Sequence, residues 1–344
     1  MNSRSKLYTV VLMVILFGIS ILVRIPNLNQ PLGNHHEWLT ATVLRHQQIW
    51  YEAGAWKYKF NPIMTYPNHA DKNINNQASN HEDSNGNFYY TSYPPFAYIL
   101  PYLVFRLFRI YPDVLPLQLF NLFFHFICAW FIYLIIARLL KKSKNPYFMN
   151  VPAIIGFTVY LFSPAPLWFH SNVYMADMMV QTFFIIGIYL FLKISSEFEG
   201  RRMDYLGFGA INFLMVYTEW LGIFFAVTVF VFSVFWIKDK RRNPLLASTG
   251  FSTIIALALT IWQYAQINGL GALVASSIEK YRIRSGLNNA DMGLSITNPK
   301  TWLSIISHCE WVFTFSGAHH PVIHLLLFEP EFDWQLKNQF SFIN

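Results

Sequence analysis

Residues 205–237 read YLGFGAINFLMVYTEWLGIFFAVTVFVFSVFWI, and Glu219 is the one formal charge in the stretch. A helix that crosses a bilayer needs about 20 apolar residues, with about 17 as a practical minimum. The stretch is therefore too long for one helix and barely long enough for two. Basic clusters bound it on both sides, Arg201-Arg202 before it and Lys238-Lys240-Arg241-Arg242 after it. Lysine and arginine concentrate in cytoplasmic loops, so both ends belong on the same side of a membrane. The chain must cross, turn back near Glu219, and cross again. This makes the chain an all-α, polytopic transmembrane protein with Glu219 at the tip of a tight outer hairpin.

The same parity extends in both directions. Residues 7–23 carry no Asp, Glu, Lys or Arg and follow Arg4 and Lys6, so the first helix starts in the cytoplasm. Further uncharged runs cover 114–137, 146–176, 178–192 and 243–278, and Arg138-Lys141-Lys142-Lys144 and Lys193-Arg201-Arg202 add two more cytoplasmic clusters. These features give about seven spans, including helices near 150–169, 173–192 and 246–266. Only one crossing fits between 23 and 138, and 114–137 takes it. The apolar segment 94–108 then lies as a juxtamembrane helix at the outer interface, with Arg106 and Arg109 at head-group level. A second helix, 37–52, shares that outer loop, which spans 24–113. The Asn/Asp/His-rich stretch 68–87 reads as a flexible excursion within the loop. The expected organisation is a transmembrane module over 1–266 and an external region over 267–344. Within the latter, 302–315 is an interfacial or additional membrane helix, although His308 and Glu310 argue against simple insertion.

Composition agrees. The 344 residues are 54% hydrophobic and 12% charged, against about 25% charged in soluble domains, which excludes a soluble globule and a disordered chain. Two cysteines, Cys128 and Cys309, exclude a disulfide scaffold and a multi-cysteine zinc module. The net charge of +7 is largely spent on orienting helices and comes with no recognised binding motif, so nucleic acid is not an expected partner.

The scarce acids mark the candidate site. Glu37 follows Asn34-His35-His36 at the start of the helix 37–52, just above the membrane. A partly desolvated carboxylate there suits a general base or a divalent-cation ligand; the plain alternative is an acid favoured by the helix dipole in a first turn. His36 and His35 are adjacent, a spacing that rarely directs two rings at one ion, and no HExxH pattern accompanies them. Asp177, in YMADMM, stands where one helix has ended outside and the next begins, as a site residue or an N-terminal cap. Glu219 has the same topological address. Three outer turns thus bring three carboxylates to one level. Tyr93-Pro94-Pro95 provides a rigid, aromatic entry to the interfacial helix. Lys280, Arg282 and Arg284 form a basic patch kept outside against the trend, which suits a phosphate or is a solvated charge run.

The order of these features resembles the GT-C superfamily of polyprenyl-phosphate-sugar-dependent glycosyltransferases, in its protein O-mannosyltransferase and aminoarabinose-transferase-like branch. The resemblance rests on RxPxL…HHEW from Arg24, YYTSYPPFAYILPYLVFRLF from Tyr89, YLIIARLLKK from Tyr133 and LFSPAPLWFHSNVYMADMMVQTFFIIGIYLFLK from Leu161, and covers roughly residues 7–240. It implies inverting transfer of a sugar from a polyprenyl-phosphate donor to a glycan, lipid or protein acceptor at the outer face of a bacterial inner membrane. It also implies a catalytic carboxylate at Glu37, with Asp177 beside it, and a site lined by His36 and Tyr93, Pro94 and Pro95; the outer placement of Glu219 and of the basic residues Lys280, Arg282 and Arg284, not the resemblance, makes them candidates for lining the site and for contacting the donor phosphate. A divalent metal, Mg or Mn, is a candidate cofactor near Glu37 and His36. The sequence departs from the family pattern where His36 replaces an Asp and where Thr218-Glu219 replaces Thr-Lys. Members usually run to ten or more helices, so the chain reads as a shortened member or a fragment. The alternative is a transporter or a polyprenyl-lipid-binding protein on the same helices. A transporter should concentrate its polar residues at mid-membrane, where Asn121, His125 and Gln181 are the candidates.

Overall fold

The computed structural model of the chain describes residues 3–68, 80–140, 146–196 and 201–284. They form ten α-helices: α1 (Ser3–Arg24), α2 (Glu37–Ala53), α3 (Phe96–Phe108), α4 (Val114–Leu139), α5 (Pro146–Phe162), α6 (Pro164–Asn172), α7 (Ala176–Ser196), α8 (Arg202–Thr218), α9 (Leu221–Trp236) and α10 (Arg242–Arg284). Strands β1 (Asn80–Glu82) and β2 (Phe88–Tyr90) make one antiparallel hairpin. Met1–Tyr281 is one compact unit and Arg282–Asn344 a second, of which the last turn of α10 is the described part. The expected helix 302–315 and stretch 69–79 lie outside the described residues.

The fold is that of an all-α integral-membrane protein. Among the described residues four helices are long and apolar enough to cross a bilayer, and α5 with α6 makes a bent fifth. They turn apolar side chains outward (Leu7, Val14, Phe224, Phe251 and Ile254 are well exposed), as a hydrocarbon solvent requires. The hairpin opened by the Glu219 stretch is present: α8 and α9 are separated by Glu219 and Trp220 alone. At 16 residues α9 spans about 24 Å, short of the roughly 30 Å hydrocarbon core. The tight return depends on Gly222, where a Cβ would stand 2.6 Å from the backbone carbon of Met215 and 2.6 Å from the nitrogen of Val216.

One end of the bundle gathers the basic clusters. Arg138 donates to the Lys193 carbonyl, Arg241 donates to the Ile194 carbonyl, and Lys193 pairs with Asp204. Three clusters assigned to one side by charge alone do share one end. The opposite end carries α2, α3 and the hairpin, packed on the starts of α4 and α7 and the end of α8. Its core includes Trp50, Tyr98, Leu117, Tyr174 and Met179.

Four local expectations are corrected. The helix expected over 150–169 breaks between α5 and α6 with a bend of 56°. Pro164 lacks an N–H and disfavours helical backbone at Ser163, which is extended (φ −63°, ψ 139°). The helix expected from 173 starts at Ala176, because Val173 is also extended. The helix expected over 246–266 runs on to Arg284, interrupted at Asn268 and Gly269, the latter at φ +84°. Finally, residues 80–87, read as part of a flexible excursion, belong to an ordered hairpin. Asp83 Oδ1 accepts the N–H groups of Asn85 and Asn87, and Oδ2 accepts Asn87 Nδ2 and the Tyr89 hydroxyl. Burial pulls the Asp83 carboxyl upward, but these donors outweigh it and hold it below its ordinary value.

Candidate functional site

Three connections assemble the loop end. The first is between α2 and the segment that leads into α7. Thr40 Oγ1 donates to the Asn172 carbonyl (2.7 Å) and accepts the N–H of Tyr174 (2.9 Å). Gln118 on α4 accepts the N–H of Asn29 and donates to Asn172 Oδ1. Trp168 on α6 donates its indole N–H to the carbonyl of His35 at 3.1 Å. The short helix α6 is thus the common support of the Glu37 loop and of the chain entering Asp177.

Glu37 opens α2 and is buried. Its Oε2 accepts the backbone N–H groups of Gly33 (2.8 Å) and Asn34 (2.7 Å), folding the preceding loop back on the helix. His36 caps α2 in the left-handed conformation (φ +62°), with its exposed ring 4.0 Å from that of His35 and 5.9 Å from that of Phe169. No hydrogen bond joins Glu37 to Asp177 or Glu219.

The second connection pairs two acids. Asp177 occupies the first turn of α7 and is exposed, while Glu219, which follows α8, is buried. Burial first, and then the negative charge of Asp177, push the Glu219 carboxyl above its ordinary value; the Leu221 N–H on its Oε2 opposes this only in part. Burial raises the Asp177 carboxyl as well, so both acids of the pair stand above their ordinary values.

The third connection ties the loop over 91–95 to that pair and to α10. Trp220, beside Glu219, donates to the Ser92 carbonyl at 2.7 Å. The Tyr264 hydroxyl donates to the carbonyl of Tyr93, and Lys280 Nζ donates to Thr91 Oγ1 at 2.7 Å. Pro94 and Pro95 are buried, and Pro95 caps α3. Phe96 then packs on Phe183 and Tyr217. Burial, and then the Lys280 charge, lower the pKa of His81 on the facing hairpin.

The site residues expected from sequence therefore fall into groups. Asp177, Glu219, Tyr93, Pro94, Pro95 and Lys280 share one neighbourhood. Glu37 and His36 are linked to the chain entering Asp177 through Thr40 and, by way of His35, to α6 through Trp168. Arg282 falls in the second unit, and the side chain of Arg284 lies outside the described residues. Among the described residues no three of His, Cys, Asp and Glu come close enough to hold a metal ion. Sequence reasoning missed Thr40, Gln118, Trp168 and Gln263. Gln263, buried on α10, donates to the carbonyls of Lys59 and Phe60 and accepts the Tyr217 hydroxyl. A polar residue inside an apolar run was the available signal for Gln263.

No family model matches the chain, and no curated protein matches it. Among solved structures it is similar to the oligosaccharyltransferase of Archaeoglobus fulgidus in its apo form, with a TM-score of 0.51 and 14% identity over 96% of this chain. The chain spans 40% of the length of that protein. The likeness is one of fold alone.

Proposed function

We propose that the chain forms the membrane core of a glycosyltransferase that moves a sugar from a polyprenyl-phosphate donor to an acceptor hydroxyl, at the outer face of a membrane and with inversion. The observation that carries this reading is the Asp177/Glu219 pair, tied through Trp220 to the loop over 91–95, which Lys280 also contacts at Thr91. It stands on a fold similar to that of an oligosaccharyltransferase.

Asp177 is the exposed member of the pair and the one an acceptor can reach. Asp177 takes the proton of the acceptor hydroxyl as that oxygen attacks the anomeric carbon. The bond between the anomeric carbon and the donor's phosphate oxygen breaks, and the electron pair leaves with the lipid phosphate. Lys280 offsets the charge that develops there. Glu37 shapes the acceptor side by holding the loop that carries His35 and His36. Attack opposite the leaving group gives inversion.

The test is transfer from a panel of polyprenyl-phosphate sugars to glycan, lipid and peptide acceptors by the purified protein in bilayers, with the product anomer read by NMR. Removing a general base costs on the order of 10²–10⁴-fold, so Asp177→Asn should fall in that range. Lys280→Met should raise KM for the donor. Turnover by Asp177→Asn equal to wild type would remove Asp177 from its role. Donor binding without transfer to any acceptor would favour a lipid-binding protein instead.

A further inference from the structure

We propose that Arg24 is the positioning residue of this site: a buried cation that fixes the bend between α5 and α6, and through α6 sets both the Glu37 loop and the chain entering Asp177. The argument starts from the backbone. At the α5–α6 break Pro164 has no N–H to give, and the chain turns away, so the last carbonyls of α5 lose helical partners. A bare carbonyl is costly within a membrane protein. Arg24, the last residue of α1, supplies the missing donor: its Nη2 lies 3.3 Å from the Leu161 carbonyl. Its Nη1 donates to Ser20 O at 2.8 Å in its own helix. The carbonyl ends of two helices, each carrying partial negative charge, therefore converge on one guanidinium.

The remaining arms reach two more helices. Nε donates to Ser171 Oγ on α6 at 2.7 Å, and Nη2 donates to His125 Nε2 on α4 at 3.0 Å. A guanidinium only donates, so His125 is a neutral imidazole with its proton on Nδ1. His170, its ring centred 4.9 Å from that of His125 and tilted by 35°, bonds Gln181 Oε1 through Nε2; an amide oxygen only accepts, so there the proton sits on Nε2. Both rings are thus locked as neutral tautomers around the cation. Arg24 is 2% exposed, and among the described residues no carboxylate is in ion-pair contact with it. A charge so placed neither balances an acid nor meets a ligand. It joins α1, α4, α5 and α6 by one planar fork, a task the point charge of lysine cannot reproduce. From α6 the hold passes to His35 through Trp168 and to Thr40 through Asn172.

The assignment of Arg24 to the site rests on the function proposed above, so its test reads geometry and not turnover. Spin labels on cysteines placed at Val151 in α5 and Ala165 in α6, both exposed, report the bend in the full chain in bilayers. Cys128 and Cys309 are replaced in this background. A second pair, at Leu206 in α8 and Val234 in α9, is the control away from Arg24. The expected result is one narrow distance for each pair in the parent. Arg24→Met should broaden the α5–α6 pair and leave the control unchanged, and Arg24→Lys should recover part of the narrow population. An unchanged α5–α6 distance overturns the proposal, as does equal loosening of both pairs, which would reveal general stabilisation only. If Arg24→Met does not fold, Ser171→Ala removes the α6 arm alone and is judged by the same two criteria. Absence of sugar transfer by the parent chain, together with the expected broadening in Arg24→Met, would count against the proposed function and leave this inference standing.

Discussion

Replacing Glu37 separates a structural carboxylate from a chemical one. In the structure Oε2 takes two backbone N–H groups, from Gly33 and Asn34, at 2.8 and 2.7 Å. Hydrogen bonds to a charged group contribute about 1.5–3 kcal/mol each. Gly33 and Asn34 are exposed, so their N–H groups can be rehydrated when the carboxylate is gone, and the lower part of that range applies. Glu37→Ala should therefore cost about 2–4 kcal/mol. It also removes a favourable charge from the first turn of α2, worth about 0.3–1 kcal/mol. Glu37→Gln keeps an acceptor oxygen in place. Neutral bonds are about half as strong as charge-assisted ones, so the amide should cost roughly 1–2 kcal/mol. Thermal unfolding in bilayers or detergent measures both changes, and transfer from a polyprenyl-phosphate sugar measures the consequence. If Asp177 is the base and Glu37 holds the loop, Glu37→Gln keeps most of its turnover while Glu37→Ala loses stability and turnover together. The reasoning fails if Glu37→Gln is as stable as wild type yet loses turnover by the factor of about 10² or more that a missing base produces. Glu37 would then be the base, and the loop contact incidental.

Three further outcomes follow from single residues. Burial and the Asp177 charge hold the folded Glu219 carboxyl above its unfolded value, so the native state binds more protons between those two values. Stability should fall as pH rises through that window, by about 1.4 kcal/mol for each unit of displacement. Glu219→Gln should flatten the dependence in a series of melting temperatures across pH; an unaltered slope would sink the assignment. Gly222→Ala places a Cβ 2.6 Å from the backbone of Met215 and Val216, which must part. A loss of about 1–3 kcal/mol in unfolding measurements is expected, as for an overpacked core, and an unaffected hairpin would show that α8 and α9 do not meet there. Gln263→Leu keeps the volume but strips donors from the Lys59 and Phe60 carbonyls and the acceptor from Tyr217. It should cost about 2–4 kcal/mol and speed protease cleavage near Lys59, and wild-type cleavage would argue that α10 does not hold that loop.

What was legible in the sequence follows from the range of the interactions involved. The α8–α9 return was readable because its cause is local: one acid in an apolar run, with basic residues at both ends, leaves few ways to cross a membrane. The break at Ser163-Pro164 had an equally local cause, yet the uncharged run across it suggested a continuous span, because hydropathy is blind to a missing N–H. Asp83-Ser84-Asn85-Gly86 carried turn chemistry that polarity alone disguised as a flexible excursion. The acid pair was anticipated through topology, since Asp177 and Glu219 had the same address. The supports were not. Thr40 meets Asn172 132 positions away, and Gln263 meets Phe60 203 positions away. No period or motif encodes such a meeting. Arg24 was read only as the flank of a first span, although its partners are residues 20, 125, 161 and 171.

These supports also explain why the candidate site lies at one end of the bundle. Regular helices satisfy their own backbones and leave no polar atoms to offer a substrate, so chemistry inside a membrane protein must gather where helices are interrupted. The interruptions of this chain cluster at a single end: Pro164 between α5 and α6, the extended Val173 before α7, Glu219 between α8 and α9, and Gly269 within α10. Each releases N–H or C=O groups that need partners, and the buried polar residues of the apolar runs supply them: Arg24 for α5, Asn121 for the Phe169 and Val173 carbonyls, and Gln263 for the loop under α10. The opposite end, where Arg138, Lys193, Asp204 and Arg241 meet, is tied by ion pairs and helix-end carbonyl bonds that fix the helices in place. At the broken end a carboxylate can be both held by neighbours and reached from outside, whereas Asp204 and Asp239 at the opposite end are taken up by Lys193 and Arg241. Asp177 and Glu219 stand at two of these interruptions, which is why changing either should alter chemistry more than it alters the fold.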